Sequence, residues 1–93
     1  MLVLPAELTH LQAAVCLDLL REAAAAESGA QVLVDATQLA RFDSSALAVL
    51  LALRRSCGHA GQSLAVRGLV PQLRTLATLY GIDALLPAVA AAA

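Results

Sequence analysis

Two five-residue runs, Gln31-Val32-Leu33-Val34-Asp35 and Ser63-Leu64-Ala65-Val66-Arg67, interrupt a chain otherwise dominated by Ala and Leu at helical spacing. Each is too short for a helix. Gly29 precedes the first, and Gly61 and Gly68 bracket the second, so both read as buried strands. Leu2-Val3-Leu4, ended by Pro5, reads as a third. The stretches between them read as helices. Thr9-His10-Leu11-Gln12 fits a capping box, with a hydroxyl first and Gln three residues later. Leu11, Val15, Leu19 and Ala23 then keep helical spacing to about Glu27, where Ser28-Gly29 closes the helix. Thr37 to Phe42 is a connection, and a second helix runs from about Ser44 to Cys57, with Gly58 and Gly61 at its exit. Pro71 suits the first turn of a third helix. Its inner face is Leu73, Leu76, Ala77 and Tyr80, and Gly81 follows as a natural C′ residue. Ile82 to Pro87 forms one more helical turn or a short strand.

The order β-α-β-α-β-α predicts one small α/β domain, with a mainly parallel sheet flanked by helices and right-handed crossovers. The domain spans residues 1–87, and the Ala-rich tail, 88–93, is expected to fray. A domain of 93 residues buries only roughly 60–65% of the surface its unfolded chain exposes, yet 60% of its residues are apolar. Lys is absent, the aromatics are Phe42 and Tyr80, and the net charge is −1. Without a basic cluster beyond Arg54-Arg55, and without stacking aromatics, nucleic acid is not expected as a partner. No uncharged apolar stretch reaches the roughly 20 residues of a membrane span. Met1 to His10 lacks a basic n-region and contains Glu7, so a cytoplasmic protein is expected. Cys16 and Cys57 fit reduced, buried helix positions. With His10 and His59 they show no metal-ligand spacing, so neither a metal nor a cofactor is expected.

The segment Asp43-Ser44-Ser45-Ala46-Leu47-Ala48-Val49-Leu50-Leu51-Ala52 places an acid and two hydroxyls at the start of an apolar helix. Asp and Ser are favoured caps because their oxygens accept otherwise unpaired backbone N–H groups. Leu47, Leu50 and Leu51 make one row, read as core. Ala46, Val49 and Leu53 make a second, and a surface helix needs only one apolar face. The surplus predicts a partner surface of Asp43, Ser44, Ser45, Ala46, Val49 and Leu53. Catalysis is not expected. Ser44, His59 and Asp35 make a triad only on paper, with no Gly-x-Ser-x-Gly elbow, and Gly58 to Gly61 is not a phosphate loop. Arg54-Arg55 suits the negative end of the helix dipole, or the rim of an interface.

Val32-Leu33-Val34-Asp35, Phe42-Asp43-Ser44-Ser45-Ala46-Leu47-Ala48-Val49-Leu50 and Leu64-Ala65-Val66, in this order, resemble the STAS domain family. Leu73-Arg74-Thr75-Leu76-Ala77-Thr78-Leu79-Tyr80-Gly81 followed by Leu85-Leu86-Pro87 is most similar to the MlaB-type members. Two departures stand out: the usual first strand is missing or reduced to Leu2-Val3-Leu4, and Pro5-Ala6-Glu7-Leu8 replaces a Gly-Glu-Leu turn. The resemblance implies a non-catalytic accessory subunit of an Mla-type phospholipid ABC transporter, acting in lipid asymmetry and outer-membrane maintenance. It would bind the ATPase subunit, and through it the permease, on the cytoplasmic side of the inner membrane without inserting into it. The resemblance also implies an alternative, an anti-sigma factor antagonist phosphorylated at Ser44. The uncovered apolar surface leaves a homodimer possible for the isolated chain.

Overall fold

The computed structural model describes residues 1–88. Its elements run β1 (Leu2–Val3), β2 (Glu7–Leu8), α1 (Ala13–Ala25), β3 (Gln31–Asp35), β4 (Arg41–Phe42), α2 (Ser45–His59), β5 (Ser63–Arg67) and α3 (Pro71–Leu79), then a 3-10 turn at Asp83–Leu85. The α/β class is the expected one, and the first strand is short. β1, β3 and β5 form a parallel sheet in that order. β3 and β5 pair along their whole length, from Gln31 opposite Ser63 to Asp35 opposite Arg67. β1 adds Leu2 opposite Val34 and Val3 opposite Asp35, and the Leu4 N–H extends the ladder to the Asp35 carbonyl at 2.9 Å. Beyond β5 the Val66 N–H donates to the Pro87 carbonyl, and Ala88 pairs with Val66 as a parallel bridge. The rest of the tail read over 88–93 lies outside the described residues.

Side chains alternate across a sheet, so register decides which ones meet. Leu2, Val34 and Val66 line up on one face, as do Val32 and Leu64, and all five are buried. α1 and α2 pack on each other over this core, α1 against β1 and α2 against β5. Each fully buried Leu or Val contributes about 1.5–3 kcal/mol. The reverse face is less covered: Val3 is exposed and Leu33 half-buried.

The helix faces sharpen the sequence reading on α1 and differ from it on α3 and α2. α1 buries Cys16, Leu20 and Ala24, while Val15, Leu19 and Ala23, and Leu11 in the turn before the helix, are exposed. On α3, Leu73 and Ala77 are buried and Leu76 is partly so, but Tyr80 is 58% exposed. The helix has already ended at Leu79, and the chain turns at Gly81, whose φ of 72° suits a residue without Cβ. On α2, Ala46, Val49 and Leu53 are core, together with Leu47, Leu50 and Cys57, and Leu51 is only half-buried. At roughly 100° per residue the two rows read from the sequence are neighbours and merge into one wide arc. The sheet and α1 cover that arc. Ala46, Val49 and Leu53 therefore cannot form a free partner surface.

Behind α3, the half-buried Arg74 guanidinium donates through Nη1 to Asp83 Oδ1 at 3.0 Å and to the Leu86 carbonyl at 2.6 Å. This clasp seats Leu86, fully buried, against the core. It also steers Pro87 and Ala88 onto the free edge of β5.

Candidate functional site at the start of the second helix

Asp43 organises this end of the molecule. β2 and β4 form a second parallel pair, Glu7 opposite Arg41 and Leu8 opposite Phe42, and the Ala6 carbonyl accepts the N–H groups of both Ala40 and Arg41. This pair carries the turn before α1 up against the turn before α2. The His10 backbone N–H then donates to Asp43 Oδ2 at 3.0 Å, and His10 Nδ1 lies 3.0 Å from the same oxygen. Asp43 Oδ1 accepts the Ser45 N–H at 2.8 Å. The His10 backbone N–H, then its ring, then the Ser45 N–H hold the Asp43 carboxyl well below the usual carboxylate range. Asp43 is thus both the cap of α2 and the tie between two loops.

Ser44 is not the cap. Its φ of −62° and ψ of −15° are already helical, and its side chain bonds no backbone N–H of the helix start. The Ala46 N–H reaches the Asp43 carbonyl at 3.1 Å, so Asp43 closes the first turn through its backbone as well. The Ser44 side chain is exposed, and Ser45 is half-buried beside it. Ser44, Ala48, Leu51 and Arg55 succeed one another at spacings of four, three and four residues, which places them along one face. Ser44, Ala48 and Arg55 are exposed and Leu51 is half-buried. This outward row is accessible on α2, as are Arg54, Gly58 and His59 near its end. The row's members Ala48 and Leu51 were not among the expected partner residues, whereas Arg55 was read as a dipole partner or a contact at the rim of an interface.

The neighbouring polar groups are tied to one another. The Thr9 N–H donates to Gln12 Oε1 at 2.9 Å, and Thr9 Oγ1 accepts the Leu11 N–H at 3.2 Å, so the capping pattern forms one turn ahead of the regular helix at Ala13. Gln12 Nε2 donates to Glu7 Oε1 at 2.6 Å, and Arg41 Nε lies 3.5 Å from Glu7 Oε2. Asp35 accepts the Thr37 N–H at 2.9 Å in a local turn, and its carboxyl is held below the ordinary range chiefly by Thr37. Gly68 completes that corner with φ of 71°, and a Cβ there would collide with the Thr37 methyl.

The paper triad does not assemble. His59 ends α2, fifteen residues beyond Ser44 and so about 22 Å away along the axis. The imidazole that does approach the turn is His10, 33 residues from Asp43 in sequence, and no local pattern announces that pairing. Because α2 continues to His59, Arg54 and Arg55 sit a turn before its end rather than on it. Burial raises the Cys16 and Cys57 thiols above their ordinary range, and both cysteines are free. Among the described residues no helix is long and apolar enough to cross a membrane, and no three His, Cys, Asp or Glu side chains gather as a metal cluster.

The Asp-Ser-Ser segment thus forms a short exposed turn between β4 and an apolar helix, set on a narrow parallel sheet. A family model described as Mlab, STAS domain matches residues 1–87. The chain belongs to the MlaB-type STAS family. Among curated proteins none matches it. An MlaB-type STAS domain supports an accessory or regulatory role. Exposed Ser44, beside the tied Asp43, heads the outward row of α2.

Proposed function

We propose that this STAS domain is a non-catalytic accessory subunit of an Mla-type phospholipid ABC transporter. It binds the cytosolic ATPase subunit through the start and outward row of α2, and so lies peripheral to the inner membrane through its partner. The observation that carries this reading is the row Ser44, Ala48, Leu51 and Arg55 on a helix whose opposite arc is core. Small side chains at Ser44 and Ala48 allow a partner backbone to come close. Leu51 offers apolar area to be covered, and Arg55 a charged contact at the rim. The core fixes the helix and Asp43 fixes its start, so little conformational freedom is lost on binding. Favouring one state of the ATPase then requires only a higher affinity for that state. No cofactor enters this role, and residues 1–87 suffice as the functional domain.

The exposed Ser44 hydroxyl favours a second reading, an anti-sigma factor antagonist switched by phosphorylation. A phosphate there would meet the positive end of the α2 dipole and add about −1.5 to −2 charge to the contact face. Affinity purification of the native protein, with mass spectrometry of Ser44, separates the two. Recovery of an ABC transporter ATPase with unmodified Ser44 is expected. Stoichiometric phosphate on Ser44, with an anti-sigma kinase recovered and no ATPase, would replace the first reading with the second.

A further inference from the structure

The outer edge of β5 is covered only in part. The Ser63 N–H donates to the Ala30 carbonyl and the Ala36 N–H to the Arg67 carbonyl, so Ser63, Ala65 and Arg67 turn their backbone groups toward β3. Leu64 and Val66 turn theirs the other way. The Val66 N–H finds the Pro87 carbonyl at 2.9 Å. Parallel pairing would next bring an N–H from position 87 to the Leu64 carbonyl, and proline has none to give. Among the described residues nothing accepts the Leu64 N–H either. Buried Leu64 lines a cavity of about 330 Å³ there, walled by Arg54 and Gly58 of α2 and by Ala84 and Pro87.

The segment over this edge is lightly held. The Ile82 N–H is bound to α3 through the Ala77 carbonyl at 2.9 Å, and beyond it Leu86 is the one buried side chain. Ala84, Leu85, Pro87 and Ala88 are exposed. Among the described side chains only Arg74 bonds the segment, through Nη1 to Asp83 Oδ1 and to the Leu86 carbonyl. The strand beneath has other support: β5 pairs with β3 along its whole length and packs against α2. Few backbone bonds and little buried area are the conditions for local opening. We propose that residues 83–88 form a latch that swings off the β5 edge while the rest of the domain stays folded, with Arg74 holding it shut. Opening bares the outward backbone groups of Leu64 and Val66 together, an uncovered strand edge of the kind that accepts another extended chain. The closed latch gates that edge. It uses neither Ser44 nor the outward row of α2, so it stands apart from the proposed function.

Amide hydrogen exchange of the full chain, read by NMR in water and at low urea, tests the latch. In the wild type the Val66 N–H should exchange at least about tenfold faster than the Leu50 and Leu53 amides inside α2, and respond less to urea, because opening the latch exposes little surface. It should still exchange at least about tenfold slower than an unstructured amide. Arg74→Met keeps the aliphatic stem, removes both hydrogen bonds and should speed Val66 at least about tenfold. Ala48→Gly loosens α2 from an exposed position away from the latch. It should speed Leu50 and Leu53 about fivefold and leave Val66 unchanged. A Val66 rate that follows Leu50 and Leu53 in urea and in Ala48→Gly would overturn the proposal, since that edge would then open only on global unfolding. An unprotected Val66 in the wild type would overturn it too, as would a Val66 rate that Arg74→Met does not move. The wild-type and Ala48→Gly readings decide the matter even where Arg74→Met fails to fold.

Discussion

α1 and α2 are similar helices in different places. Both are rich in Ala and Leu, and both carry more apolar residues than one face requires. α2 packs against β5 on one side and α1 on another, and so hides an arc that runs from Val49 through Ala46 to Leu47. α1 lies over the edge strand, and the same kind of surplus stays in water as Leu11, Val15 and Leu19. An apolar row at helical spacing therefore reports that a helix can bury a face. Its place in the layer decides whether it does.

Neighbouring positions on α2 test this most severely. Val49 is 3% exposed and Ala48 faces solvent, although the two are adjacent in sequence. Val49→Asp forces an unpaired carboxylate into the core and should cost more than about 4 kcal/mol, enough to unfold a marginal domain. Ala48→Asp should change stability by less than about 0.5 kcal/mol and yet abolish ATPase binding. Urea unfolding and pull-down of the two variants read both effects. Equal destabilisation would show that α2 has no free outward face.

Truncations compare the two helices directly. Leu50→Ala removes a fully buried side chain of α2 and should cost about 2–5 kcal/mol. Leu19→Ala on α1 should cost the monomer less than about 0.5 kcal/mol, because water already surrounds that side chain. Similar losses at the two sites would show that α1 is covered within the chain.

These contrasts also mark what the sequence could disclose. β3 and β5 were legible to the residue because Gly29 precedes one short apolar run and Gly61 and Gly68 bracket the other, and the parallel sheet followed from the alternation with helices. β2 and β4 were not. They are two residues each, and their pairing joins segments over 30 residues apart, so no periodicity can appear within either. On α2 the helix and its apolar surplus were evident, but the choice of accessible row was not. Ala48 is apolar by composition and exposed by position, whereas the equally apolar Val49 beside it points inward. The Asp43 cap was legible as a residue type. His10, its main partner, was hidden by distance along the chain.

The Asp43 tie gives an effect of intermediate size and definite sign. Its carboxyl titrates below the ordinary range in the folded chain, so its contribution is fully present above the usual unfolded carboxylate pKa of about 4. That contribution fades as pH falls through this range toward the depressed folded value. Asp43→Asn keeps the shape and one acceptor but removes the charge. It should lower the melting temperature at neutral pH and reduce the loss of stability between about pH 5 and pH 2, by the share that Asp43 supplies. Parallel melting profiles of wild type and variant over that interval would mean that the His10 and Ser45 contacts do not stabilise the charged form in solution.

Ser44 should have the smallest effect on folding and the most informative effect on binding. A hydroxyl that caps a helix costs about 0.5–2 kcal/mol when removed, but Asp43 already fills that place and the Ser44 side chain bonds no backbone N–H of the helix start. Ser44→Ala is therefore expected to alter stability by less than about 0.5 kcal/mol, within the range of ordinary surface changes. Ser44→Asp adds a charge where the helix dipole accepts it, and should fold equally well. Any difference between the variants in pull-down then reports the partner rather than the domain. For a transporter subunit both should weaken ATPase association in a graded way, Ser44→Ala by the loss of one hydroxyl and Ser44→Asp by the added bulk and charge. For a phosphorylated antagonist the two should diverge, with Ser44→Ala binding constitutively to an anti-sigma factor and Ser44→Asp not at all. The graded outcome would put Ser44 at the head of the same row as Ala48, so that substitutions at the two positions should act on one interface and combine less than additively.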